Sequence, residues 1–364
     1  MIPFIDLKTQ YQQLAPQMLK RFQQVMEHGQ YIMGPEVQEL EKLLAEYIGS
    51  KHCVALSSGT DALLLPLMAL GIQPGDEIIV PDLSFFATAE VVEFIGAKSI
   101  FCDVDHRTYN IDPAALRKCI SPKTKAIMAV GLYGQCADMD EINAIANESR
   151  IPVIEDGAQS FGAIYKGKKS LSLSTIGATS FFPSKPLGCY GDGGACFTND
   201  DELALVMREL RIHGQSKRYV HTRIGLNARM DTLQAAFLIE KMSIFEREIE
   251  LRQEVARRYD QALSSVMKTP FVREHNRSVY AQYSVLVENR ETVIQKLTAA
   301  GVPTAIHYPV VLSKQPVFSQ QRQAESHNPV AVSIASQVFS LPMHPYLSRD
   351  DQNKVIEAVK SAVQ

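Results

Sequence analysis

The stretch "SFFPSKPLGCYGDGGACF" carries one cation, Lys185, among aromatic, proline and glycine residues. Pro186 biases Lys185 toward extended backbone, and the Phe and Gly residues around it supply little to neutralise its charge. Desolvation in such a setting lowers a lysine's pKa and frees the neutral, nucleophilic amine. The competing reading is a surface lysine whose stem packs while its head reaches water. In "SSGTDA", Gly59 and Thr60 stand between a strand pattern and a helix pattern. The free amides of a helix start attract phosphate there; a plain N-cap by Ser, Thr or Asp is the alternative. In "VIEDGAQS", Asp156 ends an apolar run, where a carboxylate can hold a cationic ring nitrogen or cap the next turn. Glu155 faces the other way if the strand continues, so the adjacent pair does not suit two-carboxylate hydrolysis. "GLNARMDTLQAA" sets Asn227 and Arg229 ahead of a long helical pattern, with Asp231 at its N-cap position.

The combination says more than any one segment. A phosphate-binding helix start, an aspartate on a strand end and an isolated lysine on a later strand–loop together match what pyridoxal phosphate demands. The helix start docks the phosphate, and the aspartate keeps the pyridine nitrogen protonated. The lysine forms the Schiff base and shuttles the proton.

Such residues need a scaffold that brings strand ends together. Short apolar runs alternate with helical patterns: "HCVALSS" then "GTDALLLPLMALG", "DEIIVP" then "FFATAEVVEFIGA", then "SIFCDV", and "TKAIMAV" and "IPVIEDG" with "MDEINAIANESR" between them. This predicts an α/β fold with a mostly parallel sheet covered on both faces. "ATSFFP" and "GGACFTN" read as two more strands. A long amphipathic helix begins near Met230. A smaller α+β unit follows it, with "AQYSVLV", "ETVIQKLTAAG", a short strand "PTAI" and a last helix "RDDQNKVIEAVKSAV". The expected division is a large domain over 1–240 and a small C-terminal domain over 241–364.

Composition excludes several classes. The 364 residues are 46% hydrophobic, enough for a buried core. With 37 Lys and Arg against 40 Asp and Glu, the net charge of −3 gives no footprint for nucleic acid. Six cysteines without C-x-x-C spacing read as reduced thiols, with neither a disulfide framework nor a metal site. The first residues show no basic region leading into an apolar run, and no stretch is long enough to span a bilayer. A cytoplasmic protein is expected.

The segments "SSGTDAL", "PDLSFFATAEVV", "VIEDGAQSFGA", "SFFPSKPLGCYGDGGA", "HGQSKRYVHTRIGLNARMDTLQAA" and "PMHPYLS" resemble the DegT-type nucleotide-sugar aminotransferases, and the likeness runs over essentially the whole chain. The resemblance implies the aspartate-aminotransferase-like fold of fold type I pyridoxal phosphate enzymes. It implies that Lys185 bonds the cofactor aldehyde, that Asp156 pairs with the ring nitrogen, and that Gln159 lies near the phenolic oxygen. Gly59, Thr60 and Ser180 would hold the phosphate, and Phe85 would stack on the ring. Asn227 would reach the phosphate of a neighbouring subunit, implying a homodimer with shared sites. The implied reaction is ping-pong transfer from L-glutamate to a keto-sugar on a nucleotide, in surface polysaccharide synthesis.

One departure is Gly131 in "VGLYGQ", where many relatives carry His. The stretch around Asn227 is most similar to members acting on UDP-linked 2-acetamido-3-oxo-uronic acids; a C4 aminotransferase of a 4-keto-6-deoxy sugar is the alternative. Related dehydratases replace the lysine with histidine, and a regulatory protein on this fold would be expected to lose Lys185 or Asp156; this chain keeps both. The resemblance also puts His307 and Tyr308 in the sugar pocket. A guanidinium suits a uronate carboxylate, which makes Arg229 the candidate ligand, with pairing to Asp231 as the competing role. Arg229→Ala is expected to lose far more activity on the uronate substrate than on a neutral analogue. Equal losses in steady-state kinetics would remove Arg229 from that role.

Overall fold

A computed structural model describes residues 2–319 and 328–364. Seven strands form the central sheet: β1 (His52–Leu56), β2 (Glu77–Pro81), β3 (Lys98–Cys102), β4 (Thr124–Val130), β5 (Val153–Asp156), β6 (Ile176–Ser180) and β7 (Gly194–Thr198). Their order is β1-β7-β6-β5-β4-β2-β3. Only β7 runs antiparallel to its neighbours. The alternation in each strand assigns side chains to one of two cores. Cys53, Ala55, Ile79, Ile127, Ala129 and Val153 enter one, while Val54, Leu56, Ile78, Val80, Ala126, Met128 and Ile154 enter the other. Both faces are apolar because both are covered, as a parallel sheet requires.

Helices α1 (Leu7–His28) and α2 (Pro35–Ile48) precede the sheet. Asp6 caps α1 by accepting from the Thr9 amide at 2.9 Å, and Gly29 ends it in the left-handed conformation that glycine tolerates. Neither helix follows from the strand–helix alternation, which starts at "HCVALSS". Helices α3 (Gly59–Ala69), α4 (Ala87–Phe94), α5 (Pro113–Cys119), α6 (Met139–Glu148) and α7 (Asp201–Leu210) come between or after strands. Strand β6 stops at Ser180, short of the Phe181 and Phe182 in "ATSFFP". Phe181 instead bonds outside the ladder, its amide to the Gly193 carbonyl and its carbonyl to the Cys189 amide.

The long helix α8 (Thr232–Leu263) ties the molecule together. Residue 241 lies within it. Ala235, Leu238, Phe245 and Ile249 join the core under the sheet, whereas Val255, Tyr259 and Leu263 join a second core with β8 (Tyr283–Leu286), α9 (Arg290–Ala299), β9 (Val338–Leu341) and the C-terminal α11 (Arg349–Val363). Helix α10 (Pro329–Gln337) leads into β9. The expected strand at "PTAI" is a single bridge, Ala305 to Ser340, too brief for a ladder. A further apolar cluster joins the sheet edge to this unit through Tyr133, Leu132 and Val130 on one side and Leu286, Ile334 and Val338 on the other. All six cysteines are free thiols, as their spacing suggested. Among the described residues no helix is long and apolar enough to cross a membrane.

Phe245 sits 5.5 Å from the Phe161 ring and 5.9 Å from Tyr47, 1% exposed. Phe245→Ala is expected to cost about 3–5 kcal/mol, measured as a lowered midpoint in urea unfolding.

Candidate active site

Six parallel strands put their carboxyl ends on one edge, where open α/β sheets gather ligands. Asp156 closes β5 there, in register with Val130 of β4 and Ala178 of β6. Ile154 faces the α3–α4 side of the sheet, so Asp156, two residues on, does too. Its Oδ1 accepts from the Ala158 amide at 3.0 Å, and Oδ2 has a long contact, 3.5 Å, from the Thr88 hydroxyl of α4. Thr88 is in turn held 2.8 Å from the Ser84 hydroxyl. Burial pushes the Asp156 pKa up, while the Ala158 amide, the Lys185 charge and Thr88 pull it down.

Glu155 faces the opposite core, as strand alternation requires. It accepts from the Ser170 hydroxyl at 2.7 Å, and burial is the main cause that raises its pKa, to about 7. The two carboxylates do not act on one substrate from opposite faces.

Lys185 follows β6 in a tight loop, its own amide bonded to the Phe182 carbonyl at 2.9 Å. It is half-buried. Burial lowers its pKa and the Asp156 carboxylate opposes that. The two groups thus lie near enough for the charge of each to act on the other.

The helix start lies beside them. Ser58 caps α3, accepting from the Asp61 amide at 3.1 Å, so the plain cap is present. Capping and phosphate binding are compatible, because the first amides of a helix have no intrahelical partners. Gly59 opens the helix, and a β-carbon there would come within 2.5 Å of the Ser180 β-carbon. Only glycine lets this turn approach the end of β6. Gly59, Thr60 and Ser180 therefore share one corner of the sheet edge.

Gln159 is buried. Its Oε1 accepts from the Tyr133 amide at 2.9 Å and its Nε2 donates to the Tyr308 hydroxyl at 3.2 Å. The Phe85 ring, 53% exposed, lies 5.9 Å from the Tyr308 ring. His307 bonds Ser340 at 3.1 Å through Nδ1, and its carbonyl accepts from the Tyr133 hydroxyl. Burial, then the Lys185 charge, brings the His307 pKa down to about 4, so the ring is neutral at physiological pH. The small unit thus delivers Tyr308 and His307 onto the strand edge.

Asn227 and Arg229 sit differently. Asn227 is exposed, and its Oδ1 accepts from Arg229 Nε at 2.8 Å. Arg229 pairs with Asn227 and not with Asp231; Asp231 takes the N-cap position of α8 without a side-chain capping bond.

Sequence reasoning passed over Thr88 and Tyr133. Thr88 lies in the quoted "FFATAEVV", three residues after Phe85, one helical turn on. Tyr133 carries no such signal, because its contacts come from chain segments 26 and 174 residues away. Gly131 has a local reason. A β-carbon there would meet Ser160, 2.7 Å from its β-carbon, and Ser160 bonds Ser170 at 2.8 Å. A histidine does not fit beside that serine.

The residues fit a phosphorylated pyridine aldehyde. There is an amine whose pKa burial lowers, a buried carboxylate on the same edge, a helix start cleared by glycine and the Phe85 ring against Tyr308. Comparison with known proteins agrees. Residues 12–360 match the model of the DegT/DnrJ/EryC1/StrS aminotransferase family. The chain is 58% identical over 348 residues to the UDP-2-acetamido-2-deoxy-3-oxo-D-glucuronate aminotransferase of Pseudomonas aeruginosa, covering 95% of this chain and 96% of that one. Its fold superposes with a TM-score of 0.97 on S. venezuelae DesV, solved in complex with a ketimine intermediate, at 36% identity over 100% and 98% of the two chains. It superposes with a TM-score of 0.91 on NtdA of Bacillus subtilis, solved with bound cofactor PMP, at 31% identity over 99% and 83%.

The opposed shifts of Lys185 and Asp156 give a test with the sign fixed. Asp156 raises the Lys185 pKa, so Asp156→Asn lets burial lower it further. At neutral pH the cofactor-free Asp156→Asn protein should react faster at Lys185 with an amine-directed acylating reagent, read by peptide mass spectrometry. The same change should lower transamination about 100-fold or more.

Proposed function

The chain belongs to the DegT/DnrJ/EryC1/StrS aminotransferase family, and from that premise we propose that it moves the amino group of L-glutamate to C3 of a UDP-linked 2-acetamido-2-deoxy-3-oxo-hexuronate. It is a pyridoxal phosphate-dependent sugar aminotransferase. The observation that carries the substrate is the 58% identity, over nearly all of both chains, to the glucuronate aminotransferase. Arg229 supports it: its Nε is committed to Asn227, which leaves the two terminal nitrogens to fork onto a carboxylate.

Bound pyridoxal phosphate supplies an aldehyde that takes the amino group and a ring that accepts the electron pair released from the donor carbon. Lys185 Nζ, whose pKa burial lowers, would anchor the cofactor and would carry the proton to and from the amino-bearing carbon. Asp156 would keep the ring nitrogen protonated. Gln159 holds the Tyr308 hydroxyl and would lie near the phenolic oxygen, and Phe85, beside Tyr308, would stack on the ring. Gly59, Thr60 and Ser180 would hold the phosphate at the start of α3.

We read Asn227 and Arg229 as parts of a site shared between two copies. They follow a hairpin (residues 215–221) whose surroundings include Tyr219 at 79% and Ile224 at 88% exposure. Apolar side chains that exposed beside two polar ligands suit burial against a second chain. The reaction would run in the cytoplasm on a nucleotide-activated precursor of a surface polysaccharide.

The purified protein, loaded with pyridoxal phosphate, is expected to be yellow and to bleach on L-glutamate. UDP-2-acetamido-2-deoxy-3-oxo-glucuronate should restore the colour, and NMR of the product should place nitrogen on C3. Nitrogen on C4 of a 4-keto-6-deoxy substrate, with no turnover of the uronate, would replace the substrate reading. No bleaching with glutamate would remove the amino donor.

A further inference from the structure

Helix α8 presents two polar side chains seven residues apart, Gln234 and Lys241, two turns along the same face. Both reach the loop that follows Lys185. Gln234 Oε1 accepts from the Tyr190 amide at 2.9 Å, and Lys241 Nζ donates to the Gly188 carbonyl at 2.6 Å. Lys241 is 1% exposed, and its ammonium sits 3.7 Å from the centre of the Tyr190 ring. Among the described residues it forms no ion pair.

A buried ammonium satisfied by one carbonyl and one ring is costly to keep. A methionine or leucine would fill the same space without that cost. The lysine therefore marks a place where the chain gains something other than stability. Burial lowers its pKa to about 8, opposed by the Cys189 and Glu248 groups.

What it grips is the return limb of a very tight loop. Lys185 donates its amide to the Phe182 carbonyl, and Cys189 donates its amide to the Phe181 carbonyl at 2.6 Å. At Gly188 a β-carbon would lie 2.6 Å from the Pro183 carbonyl oxygen and 2.7 Å from that of Phe182. The backbone there is folded against the residues that precede Lys185. Fixing the Gly188 carbonyl thus fixes the limb against which residues 182–185 rest.

We propose that Lys241 is a positioning residue for Lys185, holding the Gly188 carbonyl from α8 while Gln234 holds the Tyr190 amide, so that the loop presents the Lys185 amine at a fixed height above the strand edge. The proposal rests on the reading of Lys185 as the cofactor's anchor. Lys241 acts through the loop and touches neither cofactor nor substrate.

The test compares Lys241→Met, which keeps the volume and removes the donor, with Lys241→Arg, which keeps a cationic donor. In the cofactor-free protein, amide hydrogen exchange is measured over residues 182–190 and, as a reference, over β7. Lys241→Met should speed exchange of the Lys185 and Cys189 amides about tenfold with β7 unchanged, and Lys241→Arg should restore most of the protection. Pyridoxal phosphate is then added with borohydride, which fixes the adduct by hydride delivery to the new carbon–nitrogen bond. The rate of trapping at Lys185 should fall about tenfold in Lys241→Met.

Wild-type exchange and trapping in Lys241→Met would overturn the proposal. Should that variant fail to fold, Lys241→Gln takes its place, because its amide is too short to reach Gly188. The same local loosening there supports the assignment, and a wild-type pattern overturns it. No trapping at Lys185 in the wild-type protein would instead sink the anchor reading, and the exchange data would still report on the clamp.

Discussion

An amine and a carboxylate share one buried edge of a sheet, and neither is comfortable there. Burial disfavours the charged form of each, and each is the other's partial remedy. Everything around them maintains that balance. The parallel strands place Asp156 at the edge, α4 brings Thr88 against it, and the loop after β6 carries Lys185, whose charge acts on Asp156. More water around the pair would relax the downward push on the lysine's pKa, and deeper burial would strengthen the upward push on the aspartate's.

The small unit completes the site without joining the sheet. Tyr308 reaches Gln159, and the His307 carbonyl meets Tyr133, so one tyrosine and one glutamine on the large unit hold a loop from the other. Because α8 contributes side chains to both cores, the two units share one helix as well as these contacts at the edge.

The sheet was legible because each strand is short, apolar and bracketed by a helical period, and the Lys, Asp and Gly–Thr signals fall at strand ends. Helices α1 and α2 lie ahead of that alternation and were not drawn from it, although each buries an apolar stripe, Leu14, Met18 and Val25 in α1 and Val37, Leu40, Leu44 and Ile48 in α2. The "PTAI" strand failed because one bridge carries no alternation to read. The roles of Tyr133, Thr88 and Lys241 depend on partners far away in sequence or on burial, and a pattern confined to a short window holds neither. The same is true of Arg229: its neighbour in sequence, Asp231, was the natural partner to imagine, yet the backbone turns it to Asn227.

Gly131 is tied to the opposite core through the side chains beside it. The space a β-carbon would need there is taken by Ser160, itself bonded through Ser170 to the buried Glu155. A side chain at 131 alone collides with the serine, and shrinking the serine to admit one breaks a hydrogen-bond chain that ends on a buried carboxyl. Positions 131 and 160 therefore form one packing unit, and the effects of changing them do not add.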